Sequence, residues 1–370
     1  MTSFASSFGS AGASSLGVAA TGTTAGYHNP NNDKLVNQPP NDTVSSIAFS
    51  PKALAPNNFL VAGSWDNEVR LWQIQSSGDT SPIGMIQHEA PVLDVAWSAD
   101  GMTIFSVGCE RIGKMWNPAT NQVQPIAQHE APIRCVRFAS DLGTGSPAVV
   151  TGSWDKTLKY WDPRASTNTP MGTVSLPERV YAMDLLGPVL VVATANRRTL
   201  VYDIRNPTNP YRDKESPMRY QSRCVAIFTD MAGFALGSIE GRVGIEYIQE
   251  ADQKLSFAYK CHRDRNNRIF AVNAISFHPV FGTFSTAGSD GYFNFWDKDS
   301  KMRLHQFQQL NQPITCTAFN HDGTIFGYAV GYDWSQGVEN RDPNAKNYIL
   351  LHAVKPEEVR PKDVNRTNKR

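Results

Sequence analysis

The feature that most constrains this chain is an internal repeat with a period in the forties. Five segments share a small-residue turn that carries an acidic residue, and in four of them a tryptophan follows six residues later. The acidic anchors are Asp66, Glu110, Asp155, Glu240 and Asp290. Successive anchors lie 44, 45, 85 and 50 residues apart, and the interval of 85 contains a further unit at 193–202. Self-similarity at this period indicates an array of one supersecondary unit.

Each repeat reads as four short strands separated by turn residues, as at 91–97, 103–108, 111–116 and 122–128 in the second unit. No long helix-forming stretch interrupts the pattern, so each unit is typical of a four-stranded propeller blade. Seven candidate first strands can be counted: 43–49, 91–97, 132–138, 179–185, 222–228, 271–277 and 314–319. We therefore predict an all-β, seven-bladed WD-repeat β-propeller. The segment 33–37 is expected to supply the outer strand of the last blade and to close the ring.

The two ends of the chain differ from the repeats. Residues 1–32 carry no Asp, Glu, Lys or Arg and consist mostly of small polar residues, a composition that predicts a disordered leader. This leader contains the pair Phe8-Gly9, which is similar to one unit of the phenylalanine-glycine tracts of nuclear-pore proteins. We expect the propeller to span 33–354 and a flexible, mildly basic tail to span 355–370.

Composition excludes several classes of protein. Lys+Arg 35 against Asp+Glu 34 gives a net charge of +1, so nucleic acid or an anionic membrane cannot be bound through bulk charge. The 5 cysteines lie far apart and form no C-x-x-C pair, which argues against a disulfide framework and against a zinc site. The chain lacks a secretory signal and an apolar run long enough to span a bilayer, so we expect no membrane insertion.

A second set of residues fits a structural role. The duplicated segments 88–97 and 129–138 both begin His-Glu-Ala-Pro at the entrance to a first strand. A histidine, a hydroxyl, an aspartate and a tryptophan N–H can form a chain of hydrogen bonds inside a blade. Residues assigned to this role and to the repeat markers are His88, His129, Thr151, Asp155, Trp161, Asp66, Trp72, Asp290 and Trp296.

No pattern predicts an enzyme, a metal site or a bound cofactor. The segment 108–114 fits G-x-x-x-x-G-K, but Met115 follows where a phosphate-binding loop needs Ser or Thr. A nucleophile elbow and a dinucleotide fingerprint are also missing from the sequence. The chain is therefore expected to act by binding.

The turns between second and third strands of a propeller share one face, and here they carry large or cationic side chains. Tryptophan and arginine are the residue types most often found as interface anchors. The candidate partner-binding residues are Trp65, Arg111, Trp154, Arg197, Arg242 and Arg263. The alternative is that the tryptophans pack against neighbouring blades and the arginines are simply solvated.

Four segments carry a resemblance to a known family: 237-GSIEGRVGIEYI-248, 260-KCHR-263, 277-FHPVFGTFSTAGSDGYFNFWDKD-299 and 331-GYDWSQG-337. They resemble the WD-repeat messenger-RNA export factors of the nuclear pore. A related checkpoint family shares the first two segments but not Asp333-Trp334-Ser335. The stretch 336–339 departs from many members, which leaves open what this loop contacts.

The resemblance implies a non-enzymatic adaptor in the nucleus, at the nuclear pore complex, that shuttles to the cytoplasm. Members bind an acidic GLEBS-type segment of a phenylalanine-glycine (FG) nucleoporin across the loop face. Arg242 would pair with a glutamate of that segment, and Trp65 and Trp154 would flank its apolar residues. The alternative implied by the checkpoint relatives is a spindle adaptor that binds a similar segment in checkpoint kinases.

The same resemblance implies a weak, salt-sensitive contact with messenger RNA or ribonucleoprotein. Single-stranded phosphate is commonly followed by a groove of cationic side chains. The candidate RNA contacts are Arg197, Arg242, Arg263, Arg265 and Arg268.

Overall fold

The chain forms a ring of seven four-stranded antiparallel sheets in a computed structural model that describes residues 27–143, 145–165 and 169–362. This architecture confirms the predicted seven-bladed propeller. The leader prediction falls mainly on residues 1–26 and part of the tail prediction on 363–370, which lie outside the described residues. None of the helices in the described ranges is long and apolar enough to cross a bilayer.

The blades follow one another along the chain. Blade 1 contains β2 (Val44–Phe49), β3 (Asn58–Ser64), β4 (Glu68–Ile74) and β5 (Thr80–Gln87). Blade 2 contains β6 (Val92–Trp97), β7 (Ile104–Gly108), β8 (Ile112–Asn117) and β9 (Gln122–Gln128). Blade 3 contains β10 (Ile133–Ala139), β11 (Ala148–Ser153), β12 (Thr157–Trp161) and β13 (Gly172–Ser175). Blade 4 contains β14 (Val180–Leu186), β15 (Val189–Thr194), β16 (Arg198–Asp203) and β17 (Arg212–Glu215).

The remaining blades repeat this order until the ring closes. Blade 5 contains β18 (Ser222–Ile227), β19 (Gly233–Ser238), β20 (Arg242–Tyr247) and β21 (Phe257–Lys260). Blade 6 contains β22 (Val272–Phe277), β23 (Phe284–Gly288), β24 (Phe293–Asp297) and β25 (Met302–Gln306). Blade 7 contains β26 (Ile314–Phe319), β27 (Ile325–Val330), β28 (Tyr348–Ala353) and β1 (Lys34–Leu35). Short helical turns occur at Lys52–Leu54, Glu250–Leu255, Val338–Asn340 and α1 (Pro356–Val359).

The apolar core lies between neighbouring blades. Second strands such as β3 and β11 are buried along almost their whole length, because both of their faces are covered. One cluster joins Val61 and Leu71 of blade 1 to Val92 and Trp116 of blade 2. Each blade therefore buries its faces only against its two neighbours, so the stability of any one blade depends on the whole ring.

The two chain ends meet in blade 7. Lys34 and Leu35 of β1 pair with Leu351 and Leu350 of β28, which is the closure that the segment 33–37 predicts. The packed region extends beyond the expected limits of 33 and 354. Tyr27 packs edge-on against Tyr348, and Val359 is buried with its carbonyl bound by the Thr283 hydroxyl.

The flexible tail predicted from residue 355 is therefore wrong for its first residues. Val359 enters the core cluster of blades 6 and 7, so α1 is held by apolar burial that the polar composition of the segment conceals.

A buried histidine joins these ends electrostatically. The Nδ1 atom of His352 lies 2.7 Å from Asp33, and its Nε2 atom lies 2.9 Å from Glu358. Because carboxylates only accept hydrogen bonds, both ring nitrogens donate and the imidazole is charged. Burial opposes that charge, but the hydrogen bonds to Asp33 and Glu358 prevail and raise the pKa of His352 to about 9. Tyr328 donates a further hydrogen bond to Asp33 at 2.6 Å.

Hydrogen-bond chains also run inside blades 3 and 6. In blade 3, His129 lies 2.8 Å from both Asp155 and Thr151, and Trp161 Nε1 donates to the Thr151 hydroxyl at 2.8 Å. Burial lowers the pKa of His129, so the ring is neutral and donates from Nδ1 to Asp155. The His129 nitrogens, the Thr151 hydroxyl, the Asp155 carboxylate and the Trp161 N–H thus all have hydrogen-bond partners.

Related arrangements occur at the other markers. In blade 6, Trp296 and Thr286 form the same chain with Asp290, and His262 is its histidine, a role that the sequence analysis did not assign. In blade 2, His88 Nε2 bonds to the Ser106 hydroxyl at 2.8 Å, and His88 Nδ1 lies 2.7 Å from a Glu110 carboxylate oxygen. In blade 1, where the chain has no histidine, the Asp66 carboxylate accepts the Asn41 and Glu68 N–H groups. Trp72 donates instead to the Asn37 carbonyl at 2.7 Å.

The charged His352 should make the folded protein less stable at alkaline pH. Its pKa is raised from 6.5 to about 9, so its contribution is complete below pH 6.5 and is lost as the pH rises through 9. We expect the free energy of unfolding to fall by about 2 to 3 kcal/mol over that range. Urea unfolding of wild type and His352→Gln at several pH values tests this, and an equally steep fall in the variant would contradict it.

The Thr151 hydroxyl should contribute more to stability than another buried threonine hydroxyl. Thr151→Val removes the partner of His129 Nε2 and of Trp161 Nε1. We expect this to lower the free energy of unfolding by about 1 to 3 kcal/mol. The matched control is Thr199→Val, because the buried Thr199 hydroxyl has no hydrogen-bond partner among the described residues. Denaturant midpoints measure both, and equal losses would show that the Thr151 chain contributes nothing specific.

Candidate functional site

The candidate residues lie on the face that carries the connections between second and third strands. We call this the turn face; it comprises residues 65–67, 109–111, 154–156, 195–197, 239–241, 289–292 and the longer loop 331–347. In blades 1 to 6, the residue after the turn acid has a positive φ; in blade 4, Asn196 stands in the place of that acid. Arg111 (φ 67°) and Arg197 (φ 64°) occupy this position, where Gly241 and Gly291 stand in other blades. The turn geometry thus projects these arginines from a backbone conformation that most residues avoid.

The centre of the turn face is the mouth of the channel through the ring. A cavity of about 380 Å³ opens there, and three tryptophans border it: Trp65, Trp154 and Trp334. Trp65 is 41% exposed and Trp154 is half-buried, with its indole N–H unbonded among the described residues. We call this space the mouth cavity.

Two further cavities continue from the mouth cavity across blades 5 and 6. The middle cavity, about 480 Å³, shares Gln221, Arg223 and Ser335 with the mouth cavity. The end cavity, about 560 Å³, shares Arg268 and Phe270 with the middle cavity. The three cavities together form a continuous depression, which we call the face groove.

The middle of the face groove is apolar and its end is polar. Ile239 and Ile269 line the middle cavity with exposed fractions of 37% and 49%. Asp290, Gln309 and Lys346 line the end cavity. Solvent-exposed isoleucines next to a polar end are suited to a partner that alternates apolar and polar side chains.

Two predicted arginines have structural partners. Arg197 forms an ion pair with Glu215 and donates to the carbonyls of Met218 and Arg219. Arg263 donates to the carbonyl of Glu240 at 3.2 Å. Both side chains therefore hold the connections around blade 5 in place, which the local sequence could not show because their partners are distant along the chain.

Three other predicted arginines are available for binding. The side chains of Arg111, Arg242 and Arg265 make no hydrogen bond or ion pair with any residue in the described part of the chain. Arg268 pairs with Asp264 and lies over the Phe270 ring at 6.0 Å. Of the predicted residues, only Trp65, Trp154, Arg268 and Asp290 line the face groove. Arg242 is the first residue of β20, directly after the turn that carries Ile239.

Comparison with known proteins gives the family. The family model described as WD domain, G-beta repeat matches residues 34–73, 80–117 and 120–162. The mRNA export factor GLE2 of Chaetomium thermophilum is 44% identical over 351 residues, which cover 94% of this chain and 97% of that protein. The chain belongs to the mRNA export factor family of WD-repeat proteins.

Other members of this family agree over similar lengths. The poly(A)+ RNA export protein of Schizosaccharomyces pombe is 45% identical over 333 residues, which cover 89% of this chain and 93% of that protein. The mRNA export factor of Bos taurus is 48% identical over 369 residues, which cover 97% and 98%. The resemblance on the four sequence segments is thereby confirmed.

In this export-factor chain the loop 331–347 folds over the channel mouth. The Asp333 carboxylate accepts hydrogen bonds from Ser289, from Asn273 Nδ2 at 2.9 Å and from the Ser335 N–H at 3.1 Å. Trp334 packs edge-on against Tyr332, with Arg341 over its ring. The motif Asp333-Trp334-Ser335 therefore ties blade 7 to blade 6, and Trp334 faces the mouth cavity.

The sequence analysis missed the groove residues that come from first strands. Arg134, Tyr181 and Arg223 line the mouth cavity, although they belong to β10, β14 and β18 instead of to turns. Each is the second residue of its first strand, at the point where pairing with the second strand skips one residue. An alignment of the seven first strands would have shown a variable, often bulky position at this point.

Proposed function

We propose that this chain is a non-enzymatic adaptor that supports messenger-RNA export at the nuclear pore and binds an acidic GLEBS-type segment of an FG nucleoporin along the face groove. The observation that carries the proposal is the continuity of the three cavities from Trp65 to Lys346. A long, narrow depression fits an extended peptide better than a globular partner.

The chemistry of the groove, and of Arg242 three residues after the groove residue Ile239, supports an acidic segment with apolar residues. Arg242 has no partner within the described residues, so a carboxylate could form a charge-assisted, bidentate pair with it. Ile239 and Ile269 would cover apolar side chains next to that pair, and Trp65 and Trp154 would flank others near the channel. Exposed aromatic and arginine side chains are the expected anchors of such an interface.

The names of the relatives support a role in messenger-RNA export. Three proteins that match 89% to 97% of this chain are named for the export of mRNA or poly(A)+ RNA. These names support our proposal that the chain acts in the nucleus, at the nuclear pore complex, with passage to the cytoplasm.

A binding role also agrees with how the polar residues are used. In the described part of the chain, the imidazoles of His129 and His262 are committed to hydrogen-bond chains inside their blades. Neither of them faces an unpaired nucleophile in the groove. Catalysis by a histidine–hydroxyl pair would need a reacting group that the substrate can reach.

We include a weak RNA contact in the proposed function. Arg265 and Arg268 are exposed in the connection between blades 5 and 6, where Arg268 lies over the Phe270 ring. Arg242 begins the third strand of blade 5. Arg197 and Arg263 contribute less in this proposal, because their hydrogen bonds already hold them.

Replacing Arg242 should weaken peptide binding and leave the fold intact. Arg242→Ala removes the partner of a partly buried carboxylate, and we expect a loss of about 2 kcal/mol or more in calorimetric titration with a GLEBS-type peptide. Arg164→Ala is the matched control, because Arg164 is exposed in the connection between β12 and β13, on the opposite face. Unchanged affinity in Arg242→Ala would remove this residue from the site.

Recovery of partners from nuclear extract separates export from the checkpoint alternative. Wild-type protein should retain an FG nucleoporin, and Arg242→Ala should retain much less of it. Retention of a checkpoint kinase in its place would instead favour the spindle adaptor.

RNA binding should be weak and dependent on salt. Contact with two or three phosphates predicts a slope of about −2 for the logarithm of the binding constant against the logarithm of salt concentration. Filter binding of a single-stranded oligonucleotide to wild type and to the double variant Arg265→Gln, Arg268→Gln measures this slope. A slope near zero, or one that the double variant leaves unchanged, would contradict the contact.

A further inference from the structure

The channel through the ring has a second opening, on the side away from the turn face. The mouth cavity is lined by the beginnings of first strands, whereas another cavity, of about 360 Å³, is lined by their ends. Phe49, Trp97 and Phe319 are the last residues of β2, β6 and β26, and Phe138 is the last but one of β10. We call this space the exit cavity, and the side of the ring on which it opens the opposite face.

The walls of the exit cavity are mainly apolar. Trp97, Phe138 and Phe319 line it and are half-buried, so part of each ring remains open to solvent. In blades 1, 2 and 7 an alanine precedes the aromatic residue, and these small side chains also line the cavity. A cavity of this size with aromatic walls is suited to a large apolar side chain of a partner.

The cation that lines the exit cavity is neutralised by carboxylates. Arg137 Nη1 donates to Asp94 at 2.6 Å, and Arg137 Nε donates to Asp184 at 3.3 Å. Asp94 also accepts hydrogen bonds from the Ser46 hydroxyl at 2.7 Å and from the Val136 N–H at 3.0 Å. Two carboxylates against one guanidinium leave a net negative charge, so the exit cavity favours a cationic partner over an anionic one.

The connections around the exit cavity are acidic as well. The opposite face carries the connections between first and second strands, and an aspartate occurs in four of the seven. Their sequences contain one lysine, Lys52, and no arginine. The connections are 50–57, 98–103, 140–147, 187–188, 228–232, 278–283 and 320–324, and the aspartates are Asp100, Asp141, Asp230 and Asp322.

Each of these four aspartates keeps one carboxylate oxygen free. Its Oδ1 atom accepts the backbone N–H two residues later, which holds the side chain in place. Its Oδ2 atom accepts no hydrogen bond from the described residues, and none of the four pairs with a lysine or an arginine among them. Cations further out on this face have partners of their own, as in the ion pairs Arg164–Asp162 and Arg205–Asp203. The four carboxylates therefore keep their charges available for a cationic partner.

Exposed apolar side chains lie beside these aspartates. Met102, Leu186, Met231 and Val280 belong to the same connections or directly precede them, and they are between 38% and 67% exposed. A Cβ atom placed on Gly187 would lie 2.8 Å from the Met231 sulfur, so Met231 of blade 5 reaches the blade 4 connection next to Leu186. Exposed apolar surface rimmed by polar groups marks an interaction site.

We propose that the opposite face is a second docking surface, which binds a partner segment that inserts a large apolar side chain into the exit cavity and places lysines or arginines against the four aspartates. Charge complementarity selects this partner, because the same carboxylates would repel nucleic acid and anionic membranes. The inference goes beyond the proposed function and does not depend on it. One chain could then hold a segment on each side of the ring.

A basic, apolar peptide tests this surface directly. The probe is the capped peptide Lys-Lys-Leu-Phe-Lys-Lys, with two matched peptides in which Glu replaces every Lys or Ser replaces Leu and Phe. Methionines labelled with carbon-13 in the methyl group report where the probe binds, because Met102 lies on the opposite face and the exposed Met85 lies in the outer strand β5. We expect the basic peptide to shift the Met102 signal, identified by its loss in Met102→Leu, and to leave the Met85 signal in place. The matched peptides should shift neither signal.

Neutralised variants test the contribution of charge. Because Asn keeps the Oδ1 acceptor of Asp, the double variant Asp100→Asn, Asp322→Asn should unfold at the wild-type temperature. We expect it to bind the basic peptide about five- to tenfold more weakly. The matched control is Asp342→Asn, because Asp342 on the turn face also accepts the backbone N–H two residues later, at 2.9 Å. This control should bind the peptide as wild type does.

The outcomes separate this surface from the proposed function. The docking surface is overturned if the Met102 signal does not respond to the basic peptide, or if the acidic peptide binds equally well. It is also overturned if the double variant binds as tightly as wild type at equal thermal stability. A wild-type protein that binds the basic peptide on the opposite face but binds no GLEBS-type peptide would overturn the proposed function and leave the docking surface intact.

Discussion

The pairing of the chain ends in blade 7 is the contact on which the rest of the ring depends. Blades bury their apolar faces only against neighbours, so an open ring would expose two sheet faces and an unpaired edge. The closing strand, Lys34–Leu35, offers only two residue pairs to β28. The charged His352, held between Asp33 and Glu358, joins this strand to α1 as well. Closure also brings Trp334 of the blade 7 loop and Trp65 of blade 1 to the same cavity, so the mouth cavity forms only in the closed ring.

Ring geometry also explains why the first strands contribute both contacts between blades and side chains that line the mouth cavity. The innermost strands are crowded around the axis, and a bulge at the same place in each turns one side chain toward the channel mouth. Where that residue is Ser45 or Thr315, it bonds to the next blade. Where it is Arg134 or Arg223, most of its donors remain free. A single backbone device therefore supplies rim bonds in some blades and cationic groups in others.

The fold could be predicted almost completely from the repeat, and the site only in part. Turn anchors such as Asp155 and strand alternation define blades because both are local signals. Trp65 and Trp154 could be placed on the turn face because turns between strands are exposed. The structural use of Arg197 depends on Glu215 and on distant carbonyls, which no local pattern contains. Arg223 was missed because the direction of a bulged side chain depends on how the strands pair, and this pairing cannot be read from the sequence.

Blade 5 keeps the turn acid of the repeat but loses its tryptophan and its histidine, and it borders the middle of the groove. Its third strand ends near Glu246 where other blades have a marker tryptophan, and Ser216 occupies the position before the blade that His129 occupies before blade 3. Lacking a histidine, its Glu240 accepts the Arg219 N–H, and Arg263 binds the Glu240 carbonyl. The turn is thus held from both sides while Arg242 stays unpaired. The turn of blade 5 is therefore held by contacts that differ from the histidine chains of blades 3 and 6.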